Sequence, residues 1–339
     1  MSTMYTLAVV GATGAVGRQI TEVLEERQFP VQAIRLLASE RSVGEFVEFK
    51  DESIPVQLLD QDSFAGVDIA FFCATDLISE KFCPVAAAAG AICIDTSTAW
   101  RMDNAVPLVV PSVNGEAASG YRTKRIIASP SSSSLQLSLA LKALSNFSDL
   151  ERVVVSTYQP VSENGQQGVD ELRNQCGELL NGRPVKNKLY PHQVGFNCLP
   201  HVGDFESSGY TDAETGLVRE VQKVLAVENL RVTATAVRVP VFYGLCQSVN
   251  VETKETISVA KARELFDGMA DVELVDNVND VEYPMPIDVS GQDSIYVGRI
   301  RTDESCDKAL NMWVAADNLR QGSATNVVQI AELLGSKYL

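Results

Sequence analysis

The chain has 339 residues, more than one compact core usually holds, so two domains are the first expectation. Its composition, 45% hydrophobic and 21% charged, is that of a globular protein, and its net charge of −16 argues against nucleic acid or an anionic membrane surface as the main partner. No window reaches about 18 uninterrupted apolar residues, and Met1-Ser2-Thr3-Met4-Tyr5 has no basic region, so neither a membrane span nor a signal peptide is expected.

In chain order, Tyr5 to Val10 reads as a buried strand, followed by Gly11-Ala12-Thr13-Gly14-Ala15-Val16-Gly17 and a helix from about residue 18 to 27. Strand, glycine turn and helix form the first third of a dinucleotide-binding unit, because glycines let the backbone approach a pyrophosphate seated on the helix N-terminus. The spacing is GxxGxxG rather than GxGxxG. A second strand, 33 to 37, runs into a loop offering Ser39, Arg41 and Ser42, a nest for a 2′-phosphate, so NADP is preferred over NAD despite Glu40. Further buried strands are expected at 67–72, 91–95, 107–111 and 125–127, alternating with helices as in a doubly wound parallel sheet. Arg101 follows the strand at 91–95, beside Trp100. Both a surface cation–π pair and a ligand clamp are open to it.

The chain is organised around Ala128-Ser129-Pro130-Ser131-Ser132-Ser133-Ser134-Leu135-Gln136, a tight turn leading into a helical pattern from 135 to 144. Unpaired N–H groups at a helix start favour negative charge, so the serines read either as an N-cap or as a nucleophile site. Beyond residue 150 the pattern becomes a mixed α+β domain with a largely antiparallel sheet. Strands are expected at 153–158, 231–241, 247–252, 294–301 and 311–316, with helices at about 169–180, 213–225 and 260–269. A final helix, 319 to 334, returns to the first domain. The fold class is therefore α/β, an N-terminal Rossmann-like doubly wound NAD(P)-binding domain (1–130 with 319–339) plus an α+β domain (131–318) with a mixed, largely antiparallel sheet. Seven scattered cysteines without a CxxC pair point to a reduced, cytoplasmic protein with mostly buried thiols and no metal site.

Several blocks resemble aspartate-semialdehyde dehydrogenase. They are Gly11 to Gly17, Leu37-Ala38-Ser39-Glu40-Arg41-Ser42, Pro107 to Pro111, Val237-Arg238-Val239-Pro240-Val241 and Ala316-Asp317-Asn318-Leu319-Arg320. That family reduces aspartyl phosphate to the semialdehyde with NADPH, and its members are dimers or tetramers joined through the second domain. The resemblance implies cofactor contacts at Gly11, Thr13, Gly14, Ala15, Val16, Ser39, Arg41, Ser42 and Asn318, with NADP as cofactor. It implies a homodimer through the second domain and a small acidic metabolite as ligand. It also implies that Gln159 orients the acyl intermediate, Arg238 binds the substrate carboxylate, Glu214 the amino group and Arg101 the phosphate.

The chain departs from the family at the chemistry itself. The family's Asn-Pro-x-Cys reads Ser129-Pro130-Ser131-Ser132, so the nucleophile position is Ser132. The acid/base histidine position is Leu245, and the phosphate lysine falls on Gly216. Two cofactor-side glycines are Thr75 and Asp76, and the Ser-Gly-Ala-Gly loop reads Ser162-Glu163-Asn164-Gly165, where the acid is expected to crowd the cofactor. A serine hydroxyl is far less acidic than a thiol and needs a base that leucine cannot supply. The chain is therefore similar to the Usg proteins, relatives that lack the catalytic pair. The alternatives are an active NADP-dependent semialdehyde dehydrogenase with altered chemistry, and a purely structural dimer. Cys246 as a displaced nucleophile and His201 as a surrogate base are the weaker proposals, because Cys246 should face away from Leu245 on a strand.

Overall fold

The computed structural model describes residues 4–339, so the reading of residues 1–3 lies outside the described residues. The chain forms two compact units, one running to Ser131 and rejoined by Ser323–Leu339, the other Ser132–Gly322. No helix among the described residues is long and apolar enough to cross a membrane.

The first unit runs β1 (Tyr5–Val10), α1 (Ala15–Glu26), β2 (Val31–Ala38), β3 (Phe46–Phe49), β4 (Glu52–Leu58), β5 (Ile69–Phe72), α2 (Asp76–Ala88), β6 (Ile92–Asp95), α3 (Pro111–Asn114) and β7 (Ile126–Ala128). Its seven-stranded sheet has the order β3-β4-β2-β1-β5-β6-β7, parallel except for the β3–β4 hairpin. β1 lies between β2 and β5, so the strand order reverses there, and the carboxyl end of β1 opens onto the switch point where such sheets bind ligands. The central strands are mostly apolar because both faces are covered, with Thr6 in β1 and the buried Asp95 in β6 as polar exceptions. Helix α1 buries Ile20, Val23 and Leu24, an i, i+3, i+4 stripe, in this core.

Two local expectations are corrected in this unit. Residues 107–111 are not a strand: only an isolated Leu108–Ala128 bridge forms, and α3 begins at Pro111. Asn114 replaces the ladder by accepting from Val110 N–H and donating to the Leu108 carbonyl. The hairpin of β3 and β4 was not anticipated. Its turn, Lys50-Asp51, holds both residues in the left-handed region without any glycine to signal it.

The second unit runs α4 (Ser132–Ser145), β8 (Leu150–Gln159), α5 (Gly165–Leu180), α6 (Asp212–Leu225), β9 (Arg231–Arg238), β10 (Leu245–Thr253), α7 (Val259–Asp267), β11 (Val272–Leu274), α8 (Pro286–Val289), β12 (Ile295–Thr302) and β13 (Ala309–Ala316). Its sheet has the order β11-β12-β13-β10-β8-β9 and is mixed: β11–β12 and β8–β9 are parallel, the other pairings antiparallel. Helix α4 packs against α6, α7 and four strands, which is why its apolar residues run all round it rather than along one stripe. The expected closing helix is divided. A π-helical turn, Arg320–Thr325, precedes α9 (Asn326–Lys337), which returns to the first unit and buries Val327, Ile330, Ala331 and Leu334 there.

Helix α6 shows how side chains set an element boundary. Thr211 accepts from Glu214 N–H while the Glu214 carboxylate accepts from Thr211 N–H, a reciprocal cap. Thr211→Ala is expected to lower the unfolding free energy by about 1 kcal/mol, read as a shifted urea midpoint with unchanged slope.

Candidate functional site

In the first unit the glycine turn follows β1 directly. Gly11 has φ +87°, and a Cβ there would lie 2.6 Å from the Cys73 carbonyl oxygen at the end of β5; one at Gly17 would lie 2.4 Å from the Gly11 oxygen. Only glycine allows this packing, which brings the start of α1 close to the sheet. Gly14 is the N-cap of α1 and supplies no side-chain cap, so Ala15 and Val16 open the helix with N–H groups available to an anion. Thr13 donates to the Ser42 hydroxyl at 3.2 Å, which ties the turn to the loop after β2. In that loop Ser39 and Arg41 are exposed. This cradle fits a dinucleotide. Asp76 does not stand free beside it, since its carboxylate accepts from Thr98 N–H at 2.9 Å and from the Thr98 hydroxyl at 2.5 Å.

Arg101 also belongs to the first unit. Its guanidinium donates to the carbonyls of Thr96 at 2.6 Å and Ser129 at 3.1 Å, across the ends of β6 and β7. The cation over Trp100 is Lys124, 5.2 Å from the ring centroid, so Arg101 is not the surface partner of that indole.

In the second unit, four strand ends meet at one edge of the sheet. Gln159 ends β8 and pairs in register with Arg238, the end of β9; Leu245 begins β10 opposite Ala316, the end of β13. Ser132 starts α4 and donates its hydroxyl to Glu163 Oε1 at 3.1 Å. The other carboxylate oxygen, Glu163 Oε2, accepts from Arg238 Nη1 at 3.0 Å, and the same nitrogen donates to the Pro160 carbonyl at 2.5 Å. Glu163 therefore joins the Ser132 and Arg238 positions. The sequence carried the signal, an acid in the Ser162–Gly165 turn, but not its partners.

The remaining predicted residues have other engagements. Gln159 donates to the Thr157 hydroxyl at 3.2 Å. Asn318 is buried, exchanges hydrogen bonds with Ser162 and accepts from Gly244 N–H, so it braces the turn that carries Glu163 against the residue before Leu245. The two Glu214 oxygens accept from Thr211 N–H and Ala236 N–H, each at 2.8 Å, holding α6 against β9 and leaving a lone pair on each oxygen. Leu245 is 1% exposed and lies on the sheet face of α4, which Gln247, two residues on, reaches by donating to the Ser133 carbonyl. Cys246 faces the opposite side and packs with Val289, Ala315, Tyr158, Tyr296 and Trp313. His201 stacks on Phe205, ring centroids 4.3 Å apart. No cluster of metal-ligating side chains occurs among the described residues. All seven cysteines are free, but only Cys83, Cys93 and Cys246 are buried, fewer than expected.

With this geometry in place, the chain can be compared with known proteins. Residues 6–121 match the semialdehyde dehydrogenase NAD binding domain, and residues 141–321 match the semialdehyde dehydrogenase dimerisation domain. The chain belongs to the aspartate-semialdehyde dehydrogenase family. It is 47% identical over 332 residues to the aspartate-semialdehyde dehydrogenase of Aquifex aeolicus (strain VF5), covering 97% of this chain and 98% of that one. It is 42% identical over 340 residues to that of Legionella pneumophila, covering 100% and 98%. The crystal structure of Vibrio cholerae aspartate semialdehyde dehydrogenase II complexed with ASA superposes with a TM-score of 0.97 at 42% identity, with full coverage of both chains. The doubly wound unit is thus an NAD(P)-binding domain and the mixed-sheet unit a dimerisation domain.

Burial pushes the Cys246 thiol up to about 12. A thiol raised in the fold stabilises the protein below its unfolded value, near pH 9, and that contribution is lost as the pH climbs towards 12. At pH 8 iodoacetamide is expected to label exposed Cys198 and to spare Cys246 until denaturant is added, read by peptide mass spectrometry. Equal labelling rates would show that Cys246 is an available nucleophile after all.

Proposed function

We propose that this chain is a Usg-like member of the family that has lost the ordinary dehydrogenase chemistry and keeps NADP binding and a homodimer. The observation that carries the reading is the Ser132–Glu163–Arg238 chain of contacts beside Leu245. At the nucleophile position stands a hydroxyl, and its hydrogen-bond partner is a carboxylate already engaged by an arginine. Leu245 offers no proton-transferring group. A positioned base alone is worth roughly 10²–10⁴-fold, and the thiolate is absent as well.

Binding functions are better supported. The backbone of Gly11, Thr13, Gly14, Ala15 and Val16 would hold the pyrophosphate, and Ser39, Arg41 and Ser42 the 2′-phosphate. The bound nicotinamide would supply hydride acceptance or donation. Arg101 would serve an anion in the first unit, and Arg238 with Gln159 an acidic ligand in the second. Exposed Tyr283, Met285 and Ile287 on the second unit support a homodimer through that domain. The free cysteines and the family's biosynthetic role support a cytoplasmic location.

Fluorescence titration is expected to show NADPH binding that Arg41→Ala weakens about tenfold while leaving NADH binding nearly unchanged; equal losses for both would remove Arg41 from the 2′-phosphate site. In a phosphate-dependent assay with aspartate semialdehyde and NADP, the wild type is expected to be silent. Turnover that Ser132→Ala abolishes would overturn the reading and favour the alternative, a working dehydrogenase in which serine has taken over the nucleophile's place.

A further inference from the structure

We propose that Glu163 is a tethered occupant of the anion site at Arg238, and that it decides which ligands this pocket accepts. The inference rests on the proposed reading of the second unit as a ligand-binding pocket. The Arg238 side chain is only 5% exposed, yet a single nitrogen, Nη1, makes its hydrogen bonds, to Pro160 and Glu163. Nε and Nη2 have no hydrogen-bond partner among the described residues. A buried guanidinium with two unused donors is built to receive something, and a buried cation is unfavourable unless an anion meets it.

The anion present comes from the chain itself. Glu163 lies in the short turn Val161–Asn164, braced by the Ser162–Asn318 hydrogen bonds, and is not part of the strand that carries Arg238. Its carboxylate bridges Arg238 and the Ser132 hydroxyl at the first turn of the fourteen-residue helix α4. A ligand carboxylate reaching Arg238 and Ser132 together would need the same place. A tethered group acts at an effective concentration on the order of millimolar or above, so a free carboxylate must displace it and binds correspondingly weakly. With Glu163 in place the Arg238 charge is already matched, so an acidic ligand must displace Glu163; without it the pocket presents one unmatched positive charge.

The test is calorimetric titration of the full-length protein with succinate, a non-reacting dicarboxylate, and with succinamide as its neutral counterpart. Wild type is expected to bind succinate at least tenfold more weakly than Glu163→Gln and Glu163→Gly. Adding Arg238→Met to Glu163→Gln should erase the gain, and succinamide binding should not rise in either single variant. Equal succinate affinity in wild type and Glu163→Gln, or a gain that survives Arg238→Met, would overturn the proposal. If both Glu163 variants lose the cooperative melting transition of the wild type, Glu163 is a structural brace and the proposal also falls. No outcome depends on turnover, so the semialdehyde assay and this titration fail separately.

Discussion

The Arg238 guanidinium is buried at the end of β9, where little water reaches it and an anion must meet it. The surrounding structure is arranged around that need. The β8–β9 register sets Gln159 beside Arg238. Asn318 braces the turn that carries Glu163, and Glu163 reaches both the arginine and the start of α4. A serine tied to an arginine-bound carboxylate matches both charge and hydrogen bonding at the start of α4.

The NAD(P)-binding unit obeys a different constraint, one of backbone approach. Gly11 and Gly17 are required because Cβ atoms there would collide with main-chain oxygens, so the turn stays close to the sheet and leaves the α1 N-terminus open. Asp76, the residue most at odds with a cofactor site, is held by Thr98. The glycine turn itself cannot change without moving backbone.

Elements with strong periodicity or punctuation were legible from the chain. β1 with its glycine turn, α1 and the paired strands of the second unit stand where their apolar patterns put them. The misses share a cause. Residues 107–111 looked like a strand by composition, but Asn114 captured the backbone groups a ladder would have used. The Lys50-Asp51 turn adopts left-handed geometry without the usual Asn-Gly, so the β3–β4 hairpin left no mark. The closing helix was interrupted by a π-helical turn that hydrophobic spacing does not reveal.

By itself the sequence determined the two-part α/β organisation, the glycine turn and the identities at Ser132 and Leu245, because local spacing and residue chemistry are one-dimensional properties. The tertiary structure alone decided what those side chains meet. Glu163 and Arg238 are 75 residues apart in the chain and 3.0 Å apart in space, while Glu214 is held by the N–H groups of Thr211 and Ala236. A charged side chain buried away from water takes whichever partner the packing brings within about 3 Å, and that choice is made by strand register and turn geometry rather than by sequence neighbours.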